Sequence, residues 1–388
     1  MNINEEQLKR DIAKLEHLLK RKYNKKNFVF EYIIVSTYDD ILKKIACETT
    51  YVEDRIFSED VYKLIKEIER GIVRNVCKFY NTNKDIMIKG FDSFEKIFDD
   101  KEYISYLPPF RISSMSEKDF NDLLLSYFSI YGDKVYKIVK KYIDEGRIEL
   151  SSSMLKSTTG TFIESCCLKN GYINVDKGRR YDILTLSALC HELGHAIDSE
   201  TFLFPQSKRL ISGEDILTEV PSCYFEISFF KYLIENNYYS KDAHVILADT
   251  YSMARGMMQE FSTIDNLKSF YVDHMGCVIL PSGKYVDTDG KEIEDIDNCN
   301  CDMANITESM KYSLGLYLAF NMNELSKGNR EEYLKHLFNF TTSRKEGSFK
   351  ELVSMLNISR DEFESASLVK PTIDKEMELV KKITYKHV

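Results

Sequence analysis

Residues 191–195 read HELGH, and this short segment constrains the chain more than any other. In an α-helix, residues four apart lie on one face, so His191 and His195 can reach a single cation together. Glu192 lies about 100° around the helix from His191, beside that cation. Two imidazoles with an adjacent carboxylate predict a zinc site in which Glu192 is placed as a general base. The alternative is an amphipathic helix whose histidines fall into register by chance.

The residues before this motif predict that it lies on a buried helix. Segment 183–190 is mostly apolar and contains neither proline nor glycine. It continues into the motif without a break, so residues 183–197 predict one helix with Asp182 as its N-cap. A metal-binding helix has to be largely buried, because its ligands need fixed rotamers.

A carboxylate 24 residues after His195 completes a candidate ligand set. This residue is Glu219, within the segment 214–222. A catalytic zinc ion takes three protein ligands and keeps one open position. Glu219, on a following helix, supplies the third ligand in this interpretation. The alternative is an ordinary solvated glutamate, which is the commoner fate of this residue type.

Charge and hydropathy exclude several classes of partner. The chain has 388 residues, which is enough for a sizeable core. Its formal net charge is −9 and it has no basic arm or stripe, so we expect no nucleic-acid partner. No apolar run approaches the ~20 residues that cross a bilayer, so we expect no membrane partner. The polar, acidic segment 1–6 lacks the order of a signal peptide, and we therefore expect a cytoplasmic protein.

The nine cysteines are scattered along the chain, which suits reduced thiols in the cytosol. Cys299 and Cys301 form a C-x-C pair with no second pair nearby, so we do not expect a metal there. Cys190 and Cys223 flank the predicted site. We expect both to pack in the interior rather than to bind metal.

The pattern predicts a mainly helical chain with a small sheet. Only 6 prolines and 16 glycines interrupt 388 residues, which favours long helices. Residues 147–150 predict a short strand, and segments 161–167 and 171–176 predict a strand pair beside the zinc helix. This pair is either an edge that binds substrate backbone by strand addition or an ordinary hairpin.

Further segments, in order, resemble the thimet oligopeptidase and oligoendopeptidase F family of zinc peptidases. Residues 219–222, followed by Glu226, match the family's Glu-x-x-Ser motif with its further glutamate. Residues 311–315 read KYSLG and resemble its Lys/Gln-Tyr-Ala-Thr-Gly segment. Residues 120–150 resemble its helix pair and strand, and residues 160–176 resemble its glycine-containing hairpin. This combination is far more specific than the zinc motif alone.

The resemblance covers roughly residues 105–325 and implies a fold class. That class is a mainly α, helical zinc-peptidase (gluzincin) catalytic domain with a small β-sheet beside the active-site helix. We expect this domain over residues 106–388. We expect an N-terminal helical region over residues 1–105, reduced compared with the family's N-terminal lobe.

The resemblance also implies roles for individual residues. It implies that His191, His195 and Glu219 bind one Zn²⁺ ion per chain and that Glu192 is the general base. It implies that the phenol of Tyr312 hydrogen-bonds the tetrahedral intermediate. The alternative for Tyr312 is one more buried tyrosine among the 25 of the chain.

Two departures from the family pattern affect the neighbourhood of the ligands. Asp198 stands where the family usually carries another histidine, seven residues after the first zinc histidine. We expect Asp198 and Glu226 beside the ligands rather than on the metal. The family also carries a histidine about a turn or more before the tyrosine segment, and here residues 300–302 stand in that region with no histidine. His274 is the nearest candidate for that role, and its alternative is a solvated loop histidine.

The leading function from sequence is a zinc-dependent oligoendopeptidase that hydrolyses short unfolded peptides. One alternative is a related gluzincin exopeptidase. Another is a catalytically weak relative that binds peptides or a partner protein. The complete ligand set argues against this last alternative, whereas the missing histidine and the short N-terminal region argue for it. Nothing in the sequence marks a specific dimer seam, so the oligomeric state is left open.

Overall fold

The structure is a computed structural model. It describes residues 79, 82–98, 112–151, 160–163, 172–176, 180–202, 217–266, 270–271, 278–279, 285–286, 291, 303–343 and 349–384. These residues fall into two compact units. The first contains the described residues from 114 to 202, and the second contains those from 79 to 113 and from 217 to 384. The predicted N-terminal region lies largely outside the described residues, so the predicted boundary near residue 105 stays a prediction.

The described part of the chain is mainly helical with small sheets, which confirms the predicted fold class. The helices are α1 (82–96), α2 (Glu117–Ser129), α3 (Gly132–Asp144), α4 (Ile183–Phe202), α5 (Glu219–Glu235), α6 (Ser240–Asn266), α7 (Met303–Leu325), α8 (Arg330–Ser343), α9 (Phe349–Met355), α10 (Arg360–Ser365) and α11 (Lys370–Thr384). The strands are β1 (Ser114–Met115), β2 (Ile148–Ser151), β3 (Gly160–Ile163), β4 (Tyr172–Asp176), β5 (Tyr181–Asp182), β6 (Phe270–Tyr271), β7 (Val278–Ile279) and β8 (Tyr285–Val286). Within the described ranges, no helix combines the length and the apolar character needed to cross a bilayer.

The first unit places a three-stranded sheet against α4. The strand order is β2–β4–β3, with β4 parallel to β2 and antiparallel to β3. Ile173 and Val175 of β4 are fully buried, and α4 packs on β3 and β4. The alternation predicted for Ile173 and Val175 is therefore confirmed. The strand predicted at 147–150 is confirmed as β2, and the predicted strand pair is confirmed as β3 and β4. Residues 164–171 lie outside the described part of this hairpin.

Helices α2 and α3 pack on each other and on α4. Ser116 caps α2, because its hydroxyl oxygen accepts a hydrogen bond from the Asp119 N–H at 3.1 Å. The ammonium of Lys141 on α3 lies 3.2 Å from the carboxylate of Glu200 on α4. This ion pair joins α3 to the last turns of α4.

The second unit has α5 and α7 at its centre. Helix α5 is buried on nearly all sides, as expected of a helix that is apolar all round. Helix α7 packs along it, α6 contacts both, and α11 packs on α6. Phe94 of α1 stacks on Phe320 of α7 with ring centroids 5.7 Å apart and planes 8° apart. A short antiparallel sheet in the order β6–β7–β8 follows α6.

Candidate metal centre

Helix α4 carries the HELGH motif, and its start is fixed by a side-chain cap. The carboxylate of Asp182 accepts hydrogen bonds from the Thr185 N–H at 2.9 Å and from the Thr185 hydroxyl at 3.1 Å. Asp182 is therefore the N-cap that the sequence predicts, and the helix begins at Ile183 as expected. It continues to Phe202, five residues beyond the predicted end. Leu186, Leu189 and Leu193 are buried along it, so the motif lies on a helix that is held in place by packing.

The two histidines of the motif lie side by side on α4. Their ring centroids are 5.0 Å apart and their planes differ by 78°. His191 is buried, with 8% of its surface exposed, and His195 is half-buried. Glu192 is also buried, at 7% exposed. A carboxylate and two imidazoles thus share one partly dehydrated stretch of helix, where electrostatic interactions are stronger than in water.

Glu219 occupies the first turn of α5. Pro221 fits there because the N–H groups of a first turn have no intrahelical partner, so the missing proline N–H costs nothing. The positive end of the helix dipole favours a negatively charged carboxylate at this position. Glu219 is buried, with 7% of its surface exposed.

His191 and His195 of α4 and Glu219 of α5 form a group of potential metal ligands. One ligand atom from each residue, a ring nitrogen or a carboxylate oxygen, lies within 4.8 Å of the other two. Tetrahedral zinc with bonds of ~2.1 Å holds its ligand atoms about 3.4 Å apart, which is shorter than this 4.8 Å upper limit. The donor set of two imidazoles and one carboxylate is the set found in catalytic zinc sites. Within the described residues, this is the one group of three potential ligands that meets this spacing.

Ser222 contacts the candidate carboxylate ligand directly. Its hydroxyl oxygen lies 2.9 Å from Glu219 Oε2 and 2.9 Å from the Glu219 carbonyl oxygen. A serine hydroxyl has one hydrogen and donates to one of these acceptors at a time. Ser222 itself is fully buried. No role for Ser222 was predicted from the sequence, although a hydroxyl three residues after a first-turn glutamate is a signal of such a contact.

The cysteines near the candidate centre are buried. Cys190 and Cys223 are both free thiols with no exposed surface. Burial raises the pKa of the Cys223 thiol well above its ordinary value, and the negative charges of Glu219 and Glu226 raise this pKa further. Because a metal ligand has to be the thiolate, these effects disfavour Cys223 as a ligand.

The remaining predicted site residues occupy intermediate environments. Tyr312 on α7, Asp198 on α4 and Glu226 on α5 are all half-buried. Their predicted roles stay predictions. His274 and residues 299–302 lie outside the described residues, so the group that replaces the family's histidine is not assigned.

Comparison with known proteins supports the fold. No protein-family model matches the sequence, and no curated protein matches it. A solved structure of a protein from Bacillus anthracis str. Ames, assigned as an oligoendopeptidase F, is similar with a TM-score of 0.51 and 13% identity. That match covers 99% of this chain and 80% of the other. A second structure assigned as an oligoendopeptidase F has a TM-score of 0.52 and 12% identity, covering 95% of this chain and 71% of the other. At this identity, the likeness shows a shared helical fold.

Proposed function

We propose that this chain is a zinc-dependent oligoendopeptidase that hydrolyses short unfolded peptides. The observation that carries the proposal is the HELGH motif on helix α4, where His191 and Glu192 are buried, together with Glu219 as a potential third ligand. Three protein ligands of this type leave one coordination position for chemistry. The fold likeness to solved structures assigned as oligoendopeptidase F supports the same conclusion.

Glu192 is the proposed general base. It follows His191 directly on α4 and is buried with it. A zinc ion bound by this ligand set supplies Lewis-acid chemistry that polarises a carbonyl and makes water more acidic. The Glu192 carboxylate accepts the proton of the attacking water and returns it to the nitrogen of the leaving amine. The peptide C–N bond breaks, the water oxygen ends in the new carboxyl group, and Glu192 is regenerated.

Tyr312 is the proposed donor to the oxyanion that develops on the substrate carbonyl. A phenol O–H that is already in position stabilises this charge without reorganising in the transition state. The structure places Tyr312 half-buried on α7. We further propose that Glu226 and Asp198 act near the ligands without binding the metal, as polar residues beside a metal site commonly do.

The proposed substrates are oligopeptides, and the proposed location is the cytoplasm. Strand β3 lies at one edge of the three-stranded sheet that packs on α4. An extended peptide can add to such an edge through backbone hydrogen bonds, which give affinity without requiring a particular sequence. This mode suits a peptidase that accepts many short peptides.

The test is the metal dependence of peptide hydrolysis. We expect the purified chain to hydrolyse a mixed quenched-fluorescent peptide library, to lose this activity on removal of zinc, and to regain it with one equivalent of zinc. The His195→Ala variant should bind no stoichiometric zinc by elemental analysis. His336→Ala is the matched control, because His336 contacts the Met355 carbonyl oxygen and does not belong to the ligand cluster. Stoichiometric zinc in His195→Ala would contradict the proposed ligand set.

A further inference from the structure

Gly315 on α7 lies directly against the backbone of Glu219. A Cβ atom at position 315 would lie 2.9 Å from Glu219 Cβ, 3.0 Å from its carbonyl oxygen and 3.1 Å from its carbonyl carbon. These atoms belong to the backbone or are fixed to it, so they cannot move aside as the end of a flexible side chain can. Any side chain at position 315 would therefore displace α7 or the first turn of α5.

A glycine inside a long helix needs a reason, because glycine is a poor helix former. Gly315 lies within the 23-residue helix α7. Gly256 lies within α6 but is exposed, and a Cβ atom there would meet nothing within 4 Å. The close approach to Glu219 supplies the reason at Gly315. The two helices that meet at this point also form the most extensive contact between described elements.

Ser222 contacts the carboxylate of Glu219, at the end of the side chain away from the backbone. Gly315 limits where the backbone of Glu219 can lie, and the Ser222 hydroxyl lies 2.9 Å from Glu219 Oε2. Both contacts are buried: Ser222 has no exposed surface and Gly315 lies in the buried part of α7. Together they restrict the backbone position and the carboxylate orientation of one residue.

We propose that Gly315 and Ser222 are the positioning residues that hold Glu219 in the geometry required of a zinc ligand. The inference rests on the proposed function, because it assumes that Glu219 binds zinc. Ligand distances in zinc sites are held within about ±0.2 Å. A displacement of α5 by a few tenths of an ångström, or free rotation of the carboxylate, is therefore enough to weaken binding. Residues that orient metal ligands typically contribute about 10- to 100-fold in metal affinity.

The experiment measures zinc affinity by competition with a chromophoric chelator, using the full chain without substrate. We expect Ser222→Ala and Gly315→Ala each to weaken zinc binding about 10- to 100-fold. Ser228→Ala is the matched control for the lost hydroxyl, because Ser228 lies on the same helix and accepts a hydrogen bond from Arg330 instead. Gly90→Ala is the matched control for crowding, because its Cβ would meet the rings of Phe363 and Tyr317 at 2.7 Å and 2.9 Å.

The controls separate a positioning role from a general loss of packing. Thermal unfolding of the metal-free proteins should show destabilisation in Gly90→Ala as well as in Gly315→Ala, whereas zinc affinity should fall only in Ser222→Ala and Gly315→Ala. If Gly315→Ala does not fold, Ser222→Ala against Ser228→Ala decides the question. Unchanged zinc affinity in Ser222→Ala, or an equal loss in the matched control, overturns the inference. A wild-type chain that binds no zinc overturns the proposed function and this inference with it.

Discussion

The rings of His191 and His195 lie 5.0 Å apart on one face of α4, one helical turn from each other. This relationship follows from their spacing in the sequence and from the cap at Asp182 that sets the start of the helix. The third candidate ligand, Glu219, comes from a different helix, so local spacing in the sequence does not predict it.

The cap of α4 contributes to stability. Asp182→Ala removes an acceptor for the Thr185 N–H and should lower the free energy of unfolding by about 1 kcal/mol. Asp133→Ala is a suitable control, because Asp133 is an exposed aspartate in the first turn of α3. Urea unfolding of the metal-free proteins checks this prediction. Equal stability of Asp182→Ala and the wild type would mean that the cap is dispensable.

A buried ion pair in the second unit should respond asymmetrically to mutation. Lys231 on α5 pairs with Glu324 on α7, and both side chains are largely buried. Glu324→Gln leaves the Lys231 ammonium in the interior without its counter-charge, which typically costs about 3–5 kcal/mol. Lys231→Met should cost less, because Glu324 still accepts hydrogen bonds from Lys327 and Thr372. Urea unfolding distinguishes the variants, and a larger loss in Lys231→Met would contradict the prediction.

The same pair should make stability depend on pH. Burial raises the pKa of the Glu324 carboxyl, but the Lys231 charge and hydrogen bonds from Lys231, Lys327 and Thr372 outweigh it and hold this pKa below its ordinary value. The resulting stabilisation is present above the unfolded-state pKa of about 4.3 and is lost as pH falls through the folded-state value. The stability difference between the wild type and Glu324→Gln should therefore shrink below about pH 4.3. A difference that stays constant down to pH 3 would show that Glu324 is not the titrating group.

The phenol of Tyr312 should matter in the transition state. Tyr312→Phe removes the proposed donor to the oxyanion and should lower kcat by about 10²- to 10³-fold with little change in KM. Tyr333→Phe is the control, because the Tyr333 hydroxyl donates to the Leu356 carbonyl oxygen at 2.6 Å and has a structural role. Steady-state kinetics on one library-derived peptide checks both. An unchanged kcat in Tyr312→Phe would assign Tyr312 to a structural role as well.

The helix of the zinc motif was predictable because its determinants are local. An apolar run at 183–190 that contains no glycine or proline, and an aspartate at position 182, specify where α4 begins. Its end was less predictable, because residues 198–202 carry no apolar pattern of their own. Helix α3 packs on α4, and Lys141 of α3 forms an ion pair with Glu200 in the last turns of α4.

The contacts of Gly315 and Ser222 with Glu219 could not be predicted from the periodicity of the sequence. The approach of Gly315 joins residues 96 positions apart, and no local pattern encodes which backbone a helical glycine will meet. The contact of Ser222 with Glu219 is local, but its importance depends on the carboxylate being buried. Both features emerge from how α5 and α7 pack, and packing of this kind overrides local preference.

Glu192 is the proposed general base, which transfers the proton from the attacking water to the leaving amine in a zinc-dependent cleavage of peptides. The most direct measurement is the turnover of a quenched peptide by the wild type and by Glu192→Gln, each loaded with one equivalent of zinc and checked by elemental analysis. The glutamine keeps the shape of the side chain but cannot accept the proton of water. We expect Glu192→Gln to retain zinc and to lose hydrolysis almost completely. Near-normal turnover in zinc-loaded Glu192→Gln would show that Glu192 is not the general base. A zinc-loaded wild type that binds peptides without cleaving them would contradict the proposed peptidase function.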